Sequence, residues 1–116
     1  MKFVLICEDK PDSLDVRMAT REAHLAYLKT AEVTLQLAGP MLSDDGSTMV
    51  GSMFVIEAVD LKAVQGFAEG DPYRQAGLFA NTTIRPFRQV IPAPEKGYRV
   101  GGEITPAVLP HHRTYG

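Results

Sequence analysis

The first apolar run, KFVLICE, places Phe3, Leu5 and Cys7 on one side of an extended chain and Val4 and Ile6 on the other. Its β-forming composition predicts a first strand over residues 2–8. The polar break DKPDS follows, with Asp12 or Ser13 positioned to cap a helix. From Leu14 to about Glu32, the residues Leu14, Met18, Leu25 and Leu28 recur at spacings of three and four or their sums, which predicts one buried stripe on a helix. Val33, Leu35 and Leu37 then alternate with Thr34 and Gln36, a strand that Pro40 is expected to end. Asp45-Gly46 signals a hairpin leading into a third strand, residues 48–59. Asp60 caps a second helix, LKAVQGFAEG, with Leu61, Val64 and Phe67 facing inward and Gly70 near its end. A short helical turn, DPYRQAG, and a last strand over residues 78–87 complete the set.

The order β-α-β-β-α-β is the ferredoxin-like pattern of an α+β protein with a four-stranded antiparallel sheet. Two helices cover only one face of such a sheet, and a face left in water should be polar. Strands 1 and 3 are apolar on both sides: Met49, Met53, Val55 and Val59 oppose Val50, Phe54, Ile56 and Ala58. Leaving about five such side chains in water forfeits on the order of 10 kcal/mol, comparable with a domain's whole stability. A second copy, sheet against sheet in a two-fold homodimer, is the economical cover. The alternative lid is the chain's end: residues 91–116 hold four prolines and four glycines in 26 positions and read as an extended tail after a domain of residues 1–90.

Composition adds mainly exclusions. The 116 residues suit one domain, and the 45% apolar and 22% charged residues suit a folded one. A net charge of −2 gives no basic field, so neither nucleic acid nor an anionic membrane is an expected partner. The apolar N-terminal run is too short for a signal sequence or a membrane span, so a cytoplasmic location is the expectation. Cys7 is the single cysteine, which rules out an internal disulfide and reads as a buried, inert thiol. The sequence contains no glycine-rich phosphate loop, nucleophile elbow, zinc motif or nucleotide fingerprint, and no cofactor is expected.

The candidate chemistry lies in TREAHLAYLK. Arg17, Arg21, His24 and Leu28 share a helix stripe offset from the leucines, which puts His24 at the border of the buried face. A border histidine can simply hydrogen-bond a neighbour. Two nearby arginines would instead favour a neutral ring, able to accept a proton, and would suit an anionic ligand. Asp71, before Pro72, has the sequence of a helix cap; it could also orient His24, as a carboxylate does in a His–Asp pair. Gly39-Pro40 either makes a turn or lets backbone approach a ligand, and Tyr73 either packs or offers its hydroxyl. His111-His112 lacks companion ligands at metal spacing and reads as solvated tail.

Three blocks together resemble the YciI-like (YCII-related) family: R-x3-R-x2-H-L-x-Y-L from Arg17 to Leu28, A-G-P-x-L from Ala38 to Leu42, and D-P-Y-x2-A-G-L from Asp71 to Leu78. The resemblance implies a protomer that pairs into a dimeric α/β barrel, with His24 and Asp71 as a catalytic dyad. A family member that eliminates chloride from a chlorinated hydroxyquinol implies cofactor-free acid–base chemistry of elimination (lyase) or hydrolase type. Its substrate would be small and anionic, phenolic or cyclic, with Arg17, Arg21, Gly39, Pro40 and Tyr73 binding it. The other reading is a non-catalytic dimer whose dyad grips a metabolite or partner. Phe87 stands where family members often carry tryptophan, and the tail is longer than usual.

Overall fold

The structure, a computed structural model, describes residues 1–93 and, beyond them, only the short strands Arg99–Val100 and Glu103–Ile104. The elements run β1 (Lys2–Asp9), α1 (Leu14–Lys29), β2 (Thr34–Leu42), β3 (Met49–Glu57), α2 (Leu61–Gly70), α3 (Pro72–Gln75) and β4 (Phe79–Phe87). The four strands form one antiparallel sheet in the order β2-β3-β1-β4, the expected ferredoxin-like arrangement. Most of the tail and His111-His112 lie outside the described residues.

Phe3, Leu5, Cys7, Phe54 and Ile56 meet Val64, Phe67 and Ala68 of α2 in the core on the sheet's inner face. Leu61, expected to face inward with Val64 and Phe67, is 41% exposed at the helix start. Asp60 accepts from the Ala63 amide as a cap should. Ser13 occupies the first cap position without capping: its hydroxyl donates to the Pro11 carbonyl.

Two features of the apolar pattern are corrected. On α1 the buried residues are Arg17 and His24, with Tyr27 and Leu28 half-buried, whereas Leu14, Met18 and Leu25 are exposed. At 100° per residue the buried stripe lies about a quarter turn from the leucine stripe. Polar groups can take the buried face because each finds a partner there, as described below. On β2, Leu35 pairs with Ile56 but Leu37 with Val55, so a bulge at Gln36 turns Leu37 to the sheet's other face, where it is 60% exposed. Pro40 does not end β2; it sits within it, which an edge strand permits.

The sheet's outer face carries Val4 opposite Val55 and Ile6 opposite Met53, with Leu37 alongside. None of the three described helices packs on it.

Cys7 is buried, and burial first of all pushes its thiol up to about 12. A thiol reagent at pH 8 is therefore expected to label Cys7 only as fast as the protein unfolds. Immediate labelling in native buffer would contradict this burial.

Candidate functional site

The chain breaks direction at Asp71, which ends α2 and opens α3. One oxygen of its carboxylate, Oδ1, accepts the Tyr73 amide at 2.9 Å and meets His24 Nδ1 at 2.8 Å. Cap and ring partner are thus the same atom, and 47 residues separate the two side chains it joins. His24 is 6% exposed and Asp71 2%. A carboxylate only accepts, so Nδ1 carries a proton, and in the neutral form of the ring Nε2 is the acceptor. Nε2 has no partner among the described residues, where no buried side-chain nitrogen or oxygen is left unpaired, so it opens to solvent.

Stacking holds the ring on its flank. The Tyr73 ring lies 4.0 Å from the His24 ring at 16°, and Phe54 meets His24 edge-on. The Arg17 guanidinium stands 4.6 Å from the Tyr73 centroid, within cation–π range. Arg17 is itself clamped: Nε and Nη2 donate to the two oxygens of Asp9 at 2.7 and 2.9 Å, and Nη2 also donates to Ser52 Oγ at 2.9 Å. Burial works against the Arg17 charge, but hydrogen bonding and attraction from Asp9 outweigh it and its pKa rises. Burial likewise raises the Tyr73 phenol, against the pull of Arg17. The result is one buried row, Asp9–Arg17–Tyr73–His24–Asp71.

A cleft of about 240 Å³ opens beside this row. Leu25, Leu28, Ala38, Pro40 and Phe54 supply apolar walls; Arg17, Arg21, His24, Ser52 and Tyr73 supply the polar ones. Of the candidate dyad and ligand-binding residues, Arg17, Arg21, His24, Gly39, Pro40 and Tyr73 line this cleft, and Asp71 stands behind His24. Arg21 is exposed and makes no ion pair among the described residues. Gly39 also lines the cleft, but a Cβ there would meet nothing within 4 Å, so packing inside the protomer does not require glycine. Sequence reasoning missed Asp9 and Ser52. A buried arginine demands a carboxylate, and Asp9 at the end of β1 was the signal available once Arg17 was known to be inside. Nothing local marks Ser52. Among the described residues no group of three or more His, Cys, Asp or Glu could hold a metal ion.

A larger hollow of about 880 Å³ lies at the other end of the sheet, by Met1, Tyr27, Val33 and Phe67. It lacks a comparable row of buried polar groups.

Residues 1–88 match the YCII-related domain. The chain belongs to this family. Two YCII relatives are the protein YciI of Escherichia coli O6:H1, 37% identical over 97 residues (78% of this chain, 99% of the relative), and an uncharacterized protein of Haemophilus influenzae at 36% over the same coverage. Among solved structures, the 5-chloro-2-hydroxyhydroquinone dehydrochlorinase of Burkholderia phenoliruptrix, in complex with 2,5-dihydroxybenzoquinone, is 38% identical with a TM-score of 0.70, covering 77% of this chain and 95% of that one. An antibiotic biosynthesis monooxygenase matches at a TM-score of 0.50 and 10% identity, covering 77% and 97%, and speaks for the fold alone. In this YCII chain, none of the described helices is long and apolar enough to cross a membrane.

Proposed function

We propose that this YCII protein is a small-molecule enzyme that moves protons with His24 and Asp71 on a small ring compound bearing an ionisable hydroxyl, in an elimination-type reaction that needs no electron acceptor. The observation that carries this is the His24 ring itself, fixed by Asp71 at Nδ1 and open at Nε2 beside a cleft of ring size. A neutral imidazole so held takes a proton, and the carboxylate behind it stabilises the imidazolium that forms. In the reaction, a ring carbon bearing the leaving group first takes up a proton from a ring oxygen. Nε2 then removes a second hydroxyl proton, that oxygen's electron pair passes through the ring, and the leaving group departs with its bonding pair. The net change is loss of one HX, the type of reaction named for the 38% identical dehydrochlorinase. Arg21, at the rim, draws the anionic substrate in; Tyr73 and the Ala38–Pro40 wall shape the space.

The working unit is a homodimer. Val4, Ile6, Leu37, Met53 and Val55 make the sheet face that no described helix covers apolar at its centre, as suits a self-complementary two-fold contact. Light scattering is expected to give a mass of about twice 12.7 kDa; a monomer at micromolar concentration would remove this part of the reading.

The site is tested with 2,5-dihydroxybenzoquinone, followed by the His24 ring signals in NMR, and with halide release from a chlorinated trihydroxybenzene. Ring signals that move together with halide release support the enzyme. Movement without turnover of any halogenated phenol supports a binding protein instead, and signals that do not move defeat the site.

A further inference from the structure

We propose that Ser52, backed by the Asp9-clamped Arg17, is an oxyanion-binding residue that selects ligands carrying an ionised oxygen; this deepens the reading above and rests on it. Ser52 is 3% exposed on β3, yet its side chain lines the cleft with His24. A guanidinium has no acceptor, so in the 2.9 Å contact with Arg17 Nη2 the serine oxygen accepts. Its own hydrogen is then free to donate, and it has no acceptor among the described residues.

The surroundings tune this hydrogen. Hydrogen bonding to a cation polarises the hydroxyl and strengthens it as a donor. Asp9 holds Nε and Nη2 of Arg17, which fixes the guanidinium plane and leaves Nη1 as the nitrogen without a hydrogen bond among the described residues. Arg17 is 2% exposed and lines the cleft, while no buried side-chain nitrogen or oxygen among the described residues lacks a partner. Nη1 is therefore not sealed from solvent, on a side chain that lines the cleft. Across the β2–β3 ladder Ser52 faces Pro40, which has no amide hydrogen to compete for a bound oxygen. Apart from Ser52 the buried inner face of β1 and β3 is apolar, with Phe3, Leu5, Cys7, Phe54 and Ile56. The Ser52 oxygen is used by Arg17, and its hydrogen is what remains to meet a ligand in the cleft. Nε2 of His24 and the Ser52 hydroxyl then address the same small ligand, one taking its proton and the other holding the oxygen that carries the charge.

The test compares 2,5-dihydroxybenzoquinone, which ionises, with 2,5-dimethyl-1,4-benzoquinone, which is of similar shape and does not. Wild-type protein is expected to bind the first at least about ten-fold more tightly, as a hydrogen bond to a charged group provides. Ser52→Ala should lose about ten-fold or more on the ionised ligand and nothing on the dimethyl compound, and Ser52→Thr should recover most of the loss. Equal wild-type affinity for the two compounds overturns the proposal whether or not Ser52→Ala folds. So does a folded Ser52→Ala that binds 2,5-dihydroxybenzoquinone like wild type, and in that case the His24 reading still stands. Wild-type protein that binds neither compound brings both readings down.

Discussion

His24→Ala is expected to lower kcat by about 10²–10⁴-fold, the contribution typical of a positioned general base. The loss should fall on kcat more than on KM, because the cleft walls and Arg21 do not depend on the imidazole. Some stability is lost as well, since the ring stacks on Tyr73 and touches Phe54. The sharper variant is His24→Gln. Its amide can still donate to Asp71 and fill much of the ring's space, but it has no basic nitrogen. Asp71 keeps its bond to the Tyr73 amide in either case, so α3 keeps its cap. A chemical role therefore shows as a folded His24→Gln protein with activity lost, measured as halide release beside a thermal melt. If activity instead falls only in step with the melting temperature, His24 is a packing residue.

Asp9→Ala is expected to destabilise the fold by about 3–5 kcal/mol, the usual cost of stranding one partner of a buried ion pair. Both side chains are nearly inaccessible, at 3% for Arg17 and 6% for Asp9. Removing the carboxylate leaves a buried guanidinium supported, among the described residues, by the Ser52 hydroxyl and by Tyr73. Set against the roughly 5–15 kcal/mol that holds a domain together, this is a large fraction. The midpoint of urea unfolding measures it. Arg17→Met/Asp9→Leu should recover most of the stability, because a buried pair replaced by apolar groups is often neutral. Wild-type stability for Asp9→Ala would mean that the guanidinium relocates to water, and the row Asp9–Arg17–Tyr73–His24 would then not be rigid.

These two experiments probe the parts of the molecule that were hardest to read along the chain. Strands 1 and 3, the Asp60 cap and the hairpin at Asp45-Gly46 were all legible, because each rests on neighbours within a few residues. In the hairpin, Asp45 Oδ1 accepts from the Ser43 and Ser47 hydroxyls and the Ser47 amide, and Gly46 takes φ +77°. The helix that carries the site was legible as a helix and misread as a surface. Three exposed apolar residues, Leu14, Met18 and Leu25, outweighed a buried stripe built on Arg17 and His24. Hydrophobic periodicity assumes that what is buried is apolar, and it fails where a charged residue carries its partner inside.

By itself, then, the amino-acid order determined the α+β topology and the two-faced apolar sheet, which follow from alternation, capping and turn chemistry acting over short separations; the three blocks around His24, Pro40 and Asp71 stood out through their resemblance to the YCII family. Only the tertiary structure decided that one Asp71 oxygen serves both a helix cap and His24, that Asp9 neutralises Arg17, and that Ser52 stands in the same cleft. Each of these joins positions far apart in the chain or on different elements. A hydrogen bond is made only within about 3 Å and near a straight line, and nothing short of the packed sheet and helices sets that geometry.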